Sequence, residues 1–126
     1  MDLTILPRGW APYAQALLRI MTGLLFLEAG AMKLFSFPAP AMQPPSAMVY
    51  FEGSMELAGG LLIIVGFLTR PVAFVLSGYM AAAYFIGHAP FSFFPAVNHG
   101  DLAIMFSFVF LYLAVAGPGA WAIDKP

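Results

Sequence analysis

The sequence predicts an all-α integral membrane protein that forms a four-helix transmembrane bundle. Of its 126 residues, 62% are hydrophobic and only 9% are charged, with a mean hydropathy of +0.89. A soluble domain carries about 25% charged residues, so this chain lacks the polar groups to cover a water-facing surface. Its apolar residues fall into four stretches, each close to the roughly 20 residues that a helix needs to cross a bilayer. We therefore expect one domain, residues 1–126, with the lipid bilayer as its main partner.

The first predicted span covers residues 12–35. It contains three charged residues, Arg19, Glu28 and Lys33. Four prolines between residues 38 and 45 forbid further helix, because proline cannot donate a backbone hydrogen bond and clashes with the preceding turn. A proline-rich loop should therefore follow the first span.

The other three spans are predicted at residues 52–69, 71–88 and 100–116. Only Arg70 and a proline separate the second span from the third, so these two should form a tight hairpin. A Gly-Pro-Gly sequence ends the fourth span, since glycine and proline both favour helix termination.

Basic residues are distributed unevenly between the two ends of the predicted spans. Arg8, Arg19, Arg70 and Lys125 lie toward one end, whereas only Lys33 lies at the other. Because cytoplasmic loops of membrane proteins are enriched in Lys and Arg, we expect both termini to be cytoplasmic.

Small residues recur within three of the spans, at spacings that let membrane helices approach closely. We expect these positions to be helix contacts. They are Gly23 with Gly30, Gly53 with Gly60, and Gly78 with Ala82.

Composition argues against several classes of function. The net charge is −1 and the Lys and Arg residues are not clustered, so nucleic acid is not an expected partner. Without cysteine, an iron–sulfur cluster has no thiolate ligands. No HxxxH or ExxH spacing occurs, and His88 and His99 both fall near one membrane boundary, so metal and haem are not expected. A redox role would then need a quinone or another bound cofactor.

Ionisable side chains collect toward the outer end of the predicted spans, where seven of the thirteen lie, histidines included. Such a group costs about 2.5–3.5 kcal/mol at the bilayer centre, so each should find a partner. Either these groups form a polar pocket near the outer leaflet, or Lys33 neutralises Glu56 and the others sit at the aqueous boundary. The seven are Glu28, Lys33, Glu52, Glu56, His88, His99 and Asp101.

Glu28 is a candidate proton acceptor. It lies about three helical turns from Arg19 and on roughly the opposite helix face, so Arg19 is a poor partner for it. Glu28 is therefore either protonated or paired with another helix. Because desolvation disfavours the charged form, we predict Glu28 and Glu56 as proton acceptors for a bound redox ligand, with Lys33 or His88 hydrogen-bonded to it.

Four phenylalanines surround the outer end of the third span. They either wall a planar lipophilic ligand or face lipid. These are Phe85, Phe91, Phe93 and Phe94.

Several motifs together resemble the DoxX family over nearly the whole chain. They are LLRIMTGLLFLEAGAMKLFSFP in the first span, MELAGGLLIIVGFLTRP in the second, AYFIGHAPFSFFPAVNHGDLA after the third, and the closing GPGAWAID. Two positions depart from the commoner pattern: Tyr79 replaces a glutamate, and Asn-His-Gly-Asp replaces Asn-Gly-Gly-Glu at residues 98–101.

The resemblance implies a small, multi-pass protein of the bacterial inner membrane. Some members, such as the DoxD-type subunit of thiosulfate:quinone oxidoreductase, accompany quinone chemistry or redox-stress defence. It adds Asn98 and Asp101 to the ligand-binding candidates and favours structural roles for Arg19 and Arg70. The matched polar positions are Arg19, Lys33, Glu56, Arg70, His88 and Asn98, with Asp101 a shorter version of the usual acid.

Three functions are consistent with these features, and whether the chain is itself an enzyme stays open. The first is a quinone-linked or redox-stress-associated oxidoreductase subunit. The second is a non-catalytic anchor or assembly partner for a soluble oxidoreductase or for a second copy of the chain. The third is a small-molecule transporter, which at this size would have to be a homo-oligomer.

Overall fold

The computed structural model describes residues 1–125, and these form helices with no β-strand, which confirms the all-α prediction. Pro126, the last residue of the predicted domain, lies outside them. The chain divides into two compact units, one made of Met1–Leu68 with the C-terminal tail (residues 118–125), the other of Thr69–Gly117. The helices are α1 (Ala11–Phe35), α2 (Ala47–Val65), α3 (Thr69–Gly87), α4 (Pro95–Asn98) and α5 (Asp101–Ala116), with 3-10 turns at Arg8–Trp10 and Ala89–Phe91.

The largest difference from the predicted bounds is at α2, which begins five residues before the predicted start and ends four residues before the predicted end. Its N-cap is Ser46, whose hydroxyl oxygen accepts a hydrogen bond from the Val49 amide at 3.2 Å. Gly66 ends the helix in the left-handed conformation (φ 69°), which glycine adopts without steric cost.

Two apolar helices are long enough to cross a membrane among the described residues. They are Ala47–Val65 and Thr69–Phe91, the latter including the 3-10 turn that follows α3. Helix α5 is also apolar but has only 16 residues. Helix α1 is longer, at 25 residues, and carries the three charged side chains noted in the sequence.

In the first unit, α1 and α2 pack antiparallel through glycines. A Cβ atom added at Gly30 would lie 2.6 Å from the Leu57 amide nitrogen and 2.8 Å from the Gly53 carbonyl oxygen. One added at Gly60 would lie 2.9 Å from the Gly23 carbonyl oxygen. These distances leave no room for a side chain, so the predicted contact between the two glycine pairs is confirmed.

The C-terminal tail folds back onto the first unit. The Ala120 amide donates to the Pro12 carbonyl at 3.0 Å, and the Ile123 amide donates to the Val65 carbonyl at 3.1 Å. The Asp124 carboxylate accepts from the Leu68 amide at 2.8 Å. The tail therefore joins the start of α1 to the end of α2.

In the second unit, α3 and α5 pack antiparallel around apolar side chains such as Leu76 and Phe110, both of which are buried. Ser77 and Ser107 each donate their hydroxyl to the other's carbonyl, at 2.7 and 2.9 Å. A Cβ at Gly78 would meet no atom within 4 Å, so Gly78 packs on no other helix of this unit, contrary to the predicted small-residue contact.

Candidate functional site

The clearest candidate site is an ionic cluster between α1 and α2. The ammonium of Lys33 lies 2.6 Å from the Glu56 carboxylate and 3.4 Å from the Glu52 carboxylate. The Glu56 side chain is 4% exposed, against 16% for Lys33 and 28% for Glu52. The cluster therefore runs from a buried carboxylate to a more accessible one.

The local sequence explains this geometry. Lys33 is in the last turn of α1, where the helix dipole favours a cation. Glu52 and Glu56 are four residues apart on α2 and so project from one helix face. Because two carboxylates share one ammonium, the fully ionised cluster carries a net negative charge. Such an arrangement offers carboxylate oxygens that can accept hydrogen bonds from a ligand.

Glu28, the other predicted proton acceptor, is not part of this cluster. It is exposed on α1, and its side chain has no hydrogen bond or ion pair among residues 1–125. At about 100° per residue, Glu28 points roughly 160° away from Gly30, which faces α2. The structure therefore separates Glu28 from Glu56.

Arg19 lies at the opposite end of the α1–α2 pair and is fully buried. Its guanidinium donates to the carbonyls of Ala120 at 2.9 Å and Trp121 at 2.7 Å, and also to the Pro118 carbonyl. A longer bond, at 3.4 Å, reaches the Ile64 carbonyl at the end of α2. Arg19 is thus surrounded by backbone acceptors, and the Asp124 carboxylate of the tail adds a favourable electrostatic interaction.

In the second unit, Arg70 makes a weaker contact than Arg19 makes in the first. It is exposed, and its guanidinium donates to the Ala116 carbonyl at 3.3 Å, near the end of α5. The cation lies where the dipole of α5 is negative, which is a favourable position.

His88 and Asn98 come together in the second unit. The Asn98 side chain, which is 4% exposed, donates to the Tyr84 hydroxyl at 3.1 Å and to the Ser92 carbonyl at 3.0 Å, and accepts from the Gly100 amide at 2.8 Å. His88 Nδ1 lies 2.9 Å from the Asn98 carbonyl. Because a carbonyl only accepts, Nδ1 carries a proton.

Asp101 stands apart from these contacts. It is exposed in the first turn of α5, where a carboxylate complements the helix dipole. No group of three or more His, Asp or Glu side chains within residues 1–125 has the arrangement of a metal site.

The structure thus brings the predicted residues together in two separate sets, Lys33 with Glu56 and His88 with Asn98. Glu52 was predicted as a member of the polar pocket without a role of its own, and its spacing of four from Glu56 places both on one helix face. The site prediction omitted Tyr84, which is three residues inside the end of α3 and carries no sequence signal for its bond to Asn98.

Comparison with known proteins identifies the family of this chain. The sequence profile of the DoxX family matches residues 14–89, which is more than half of the chain. The chain belongs to the DoxX family. The match covers α1, α2 and α3, and so includes the ionic cluster. No solved structure matches the chain.

Relatives of this DoxX protein align over most of their lengths. A protein of Haemophilus influenzae described as uncharacterized is 38% identical, with 92% of each chain covered. Inner membrane protein YqjF of Escherichia coli is 34% identical, covering 85% of this chain and 86% of that one. Inner membrane protein YphA of Escherichia coli is 28% identical, with 90% of each covered. This DoxX protein is accordingly a membrane protein.

Proposed function

We propose that this DoxX protein is a multi-pass inner-membrane subunit of a quinone-linked redox system, and that the Lys33–Glu52–Glu56 cluster binds the quinone head group. The observation that carries the proposal is an ammonium held between two carboxylates of unequal burial. In a membrane protein, ionisable groups inside the helices are costly and tend to mark functional sites.

In the proposed arrangement, four helices cross the bilayer and both termini are cytoplasmic. The names of YqjF and YphA support the inner membrane. The length of α1 and the apolar sequence of α5 support a first and a fourth crossing beside α2 and α3. The excess of basic residues at one end supports the orientation.

The Lys33 ammonium and a protonated Glu56 carboxyl are hydrogen-bond donors, which suit the carbonyl oxygens of a quinone. The quinone supplies the redox chemistry: its reduction to a quinol takes up two electrons, which a soluble oxidoreductase partner provides, and two protons. Lys33 donates a hydrogen bond to a quinone oxygen, which orients the ring. Glu56, when protonated, would donate one of the two protons to that oxygen, and the second proton would come from water. Glu52 is the more exposed carboxyl and returns the proton to Glu56 from water.

The first test is absorption spectroscopy, solvent extraction and mass spectrometry of the protein purified in mild detergent. We expect a stoichiometric quinone in the wild type and its loss in Lys33→Met. Arg8→Gln is the matched control, because Arg8 forms an exposed ion pair with Asp2 at 3.2 Å. A protein that neither purifies with quinone nor binds added quinone contradicts the proposal.

A second test separates binding from proton transfer. We expect Glu56→Gln to keep quinone binding while slowing quinone reduction by about 100-fold or more, which is the usual contribution of a general acid. Glu28→Gln is measured in parallel, since Glu28 is the other predicted proton acceptor. Loss of activity in Glu28→Gln alone would move the proton role from Glu56 to Glu28.

A non-catalytic anchor for a soluble oxidoreductase is the second candidate. The observation that favours it is the use of Arg19 and Asn98, whose hydrogen bonds go to backbone groups and to Tyr84. Such contacts hold a scaffold in shape and leave little for chemistry. An anchor would purify without quinone, and its partner's activity would be unchanged by Lys33→Met and Glu56→Gln.

A further inference from the structure

The connection from α3 to α5 presents aromatic side chains outward. Phe91 is 79% exposed and Phe93 is 86% exposed, and Phe85, Phe94 and Val97 are exposed as well. None of residues 71–100 is Asp, Glu, Lys or Arg. A connection in water would normally carry polar side chains. Exposed apolar patches of this kind mark surfaces that contact another protein, a membrane or a ligand.

Apart from the exposed His99, the polar side chains of the same connection are hydrogen-bonded within this unit. The buried Asn98 side chain bonds the Ser92 carbonyl and the Gly100 amide, and the Asn98 carbonyl accepts from His88. Backbone bonds from the Phe91 amide to the His88 carbonyl and from the Val97 amide to the Phe94 carbonyl add to this network. The connection is thus polar inside and apolar outside, the reverse of a water-exposed loop.

This inversion is what a bilayer requires of irregular backbone. Polar backbone groups in a membrane must be bonded within the protein, because lipid offers them no partners. The length of α5 also indicates that the connection lies in the bilayer. Its 16 residues span about 24 Å, against about 30 Å of hydrocarbon. An apolar segment at its N-terminal end makes up the shortfall.

We propose that residues 85–97 lie in the bilayer, at the boundary between the acyl chains and the headgroups, and that the exposed phenylalanines contact acyl chains. The occupant of this surface is lipid, because the surface continues the apolar part of α3 that follows Arg70 and carries no Asp, Glu, Lys or Arg. A second copy of the chain would be a different occupant, and the test distinguishes it.

The test places single tryptophans in a Trp10→Phe, Trp121→Phe background. Phe91→Trp and Phe93→Trp are introduced separately, and the proteins are placed in phosphatidylcholine vesicles with bromines near either end of the acyl chain. We expect blue-shifted emission from both variants and several-fold stronger quenching by bromines near the headgroup than near the chain terminus. Leu3→Trp is the control, because Leu3 is also exposed but lies beside Asp2.

Two results would overturn the proposal. Red-shifted emission quenched by aqueous iodide, as expected for Leu3→Trp, would place the connection in water. Blue-shifted emission insensitive to brominated lipid would place the phenylalanines against protein, as in a dimer. The same emission and quenching from Phe91→Trp and Phe93→Trp would show that neither tryptophan has changed the local structure around it.

Discussion

The two helix pairs of this protein handle polar groups in opposite ways. The first unit buries charged side chains, Arg19 at one end of the α1–α2 pair and Lys33 with Glu56 at the other. In the second unit, the part-buried bonds between α3 and α5 are those of the neutral Ser77 and Ser107, and the charged donor between these helices, Arg70, is exposed. Glycines bring α1 and α2 into close contact, whereas a Cβ at Gly78 of α3 would meet no atom of its own unit within 4 Å. Charged side chains are thus buried in the α1–α2 pair, where the helices pack more closely. There, backbone carbonyls and carboxylates lie close enough to bond the cations.

The largest effect is expected for Arg19→Met. The change removes the guanidinium bonds to the buried Pro118 carbonyl and to the part-buried carbonyls of Ala120 and Trp121. A hydrogen bond to a charged group contributes about 1.5–3 kcal/mol and Arg19 makes several, so we expect most of the folded protein to be lost. Denaturant titration in mild detergent measures this. Arg70→Met is the matched control, with an expected change within about 0.5 kcal/mol because Arg70 is exposed. Equal losses in the two variants would contradict the comparison.

The next effect is expected for Gly60→Val. A Cβ at this position would already lie 2.8 Å from the Leu27 amide nitrogen, so α1 and α2 must move apart. Overpacking of this kind costs about 1–3 kcal/mol, and the second methyl places valine at the upper end. The same denaturant titration is used. Gly78→Val meets open space in its unit and should change stability much less; a comparable loss there would show that Gly78 is also a contact.

Asn98→Ala tests the polar network of the second unit. The substitution leaves the Ser92 carbonyl and the Gly100 amide without their side-chain partner. An unpaired buried group costs about 1–3 kcal/mol, and the Gly100 amide keeps its bond to the Pro95 carbonyl at 3.2 Å, so we expect a total loss within this range. We expect faster hydrogen exchange at residues 88–100, measured by mass spectrometry, with α1 and α2 unchanged. The control is His99→Asn, since His99 is exposed with φ 61° and asparagine tolerates that conformation. Exchange that accelerates throughout the chain would mean that Asn98 supports more than its own unit.

The smallest effect is expected for Ser77→Ala. The hydroxyl bond to the Ser107 carbonyl is lost, while the return bond from Ser107 to the Ser77 carbonyl remains. Hydrogen bonds between membrane helices average about 0.6 kcal/mol, so a loss near this value is expected in the denaturant titration. The double variant with Ser107→Ala should lose about twice as much. A loss as large as that of Arg19→Met would remove the distinction between the units.

The helices were largely predictable because their signals are local. Glycine spacing predicts the α1–α2 contact, and the pairing of Lys33 with Glu56 is one of the two alternatives that the charge pattern leaves open. The predicted second span begins at Glu52, whereas the N-cap Ser46 marks the start of the helix. Helix boundaries follow capping, whereas charge indicates depth, and the two need not coincide.

The contacts of Arg19 were not predictable from the sequence. Its acceptors are backbone carbonyls, which every residue carries, so no side-chain type marks them. The same limit applies to the Asn98 network, in which the Ser92 carbonyl and the Gly100 amide take part. The quinone head group, the four crossings and the cytoplasmic termini stay predictions for the experiments above.

The contact between Arg19 and the tail also has a consequence for biosynthesis. Pro118, one of the acceptors, is 99 residues downstream of Arg19. At about 5–20 residues per second, the ribosome needs roughly 5–20 s to make that stretch. During this interval Arg19 must be solvated by water, lipid phosphates or the insertion machinery. The contacts of Arg19 are therefore completed only after residues 118–121 have been synthesised, and a product truncated before them leaves the arginine without these acceptors.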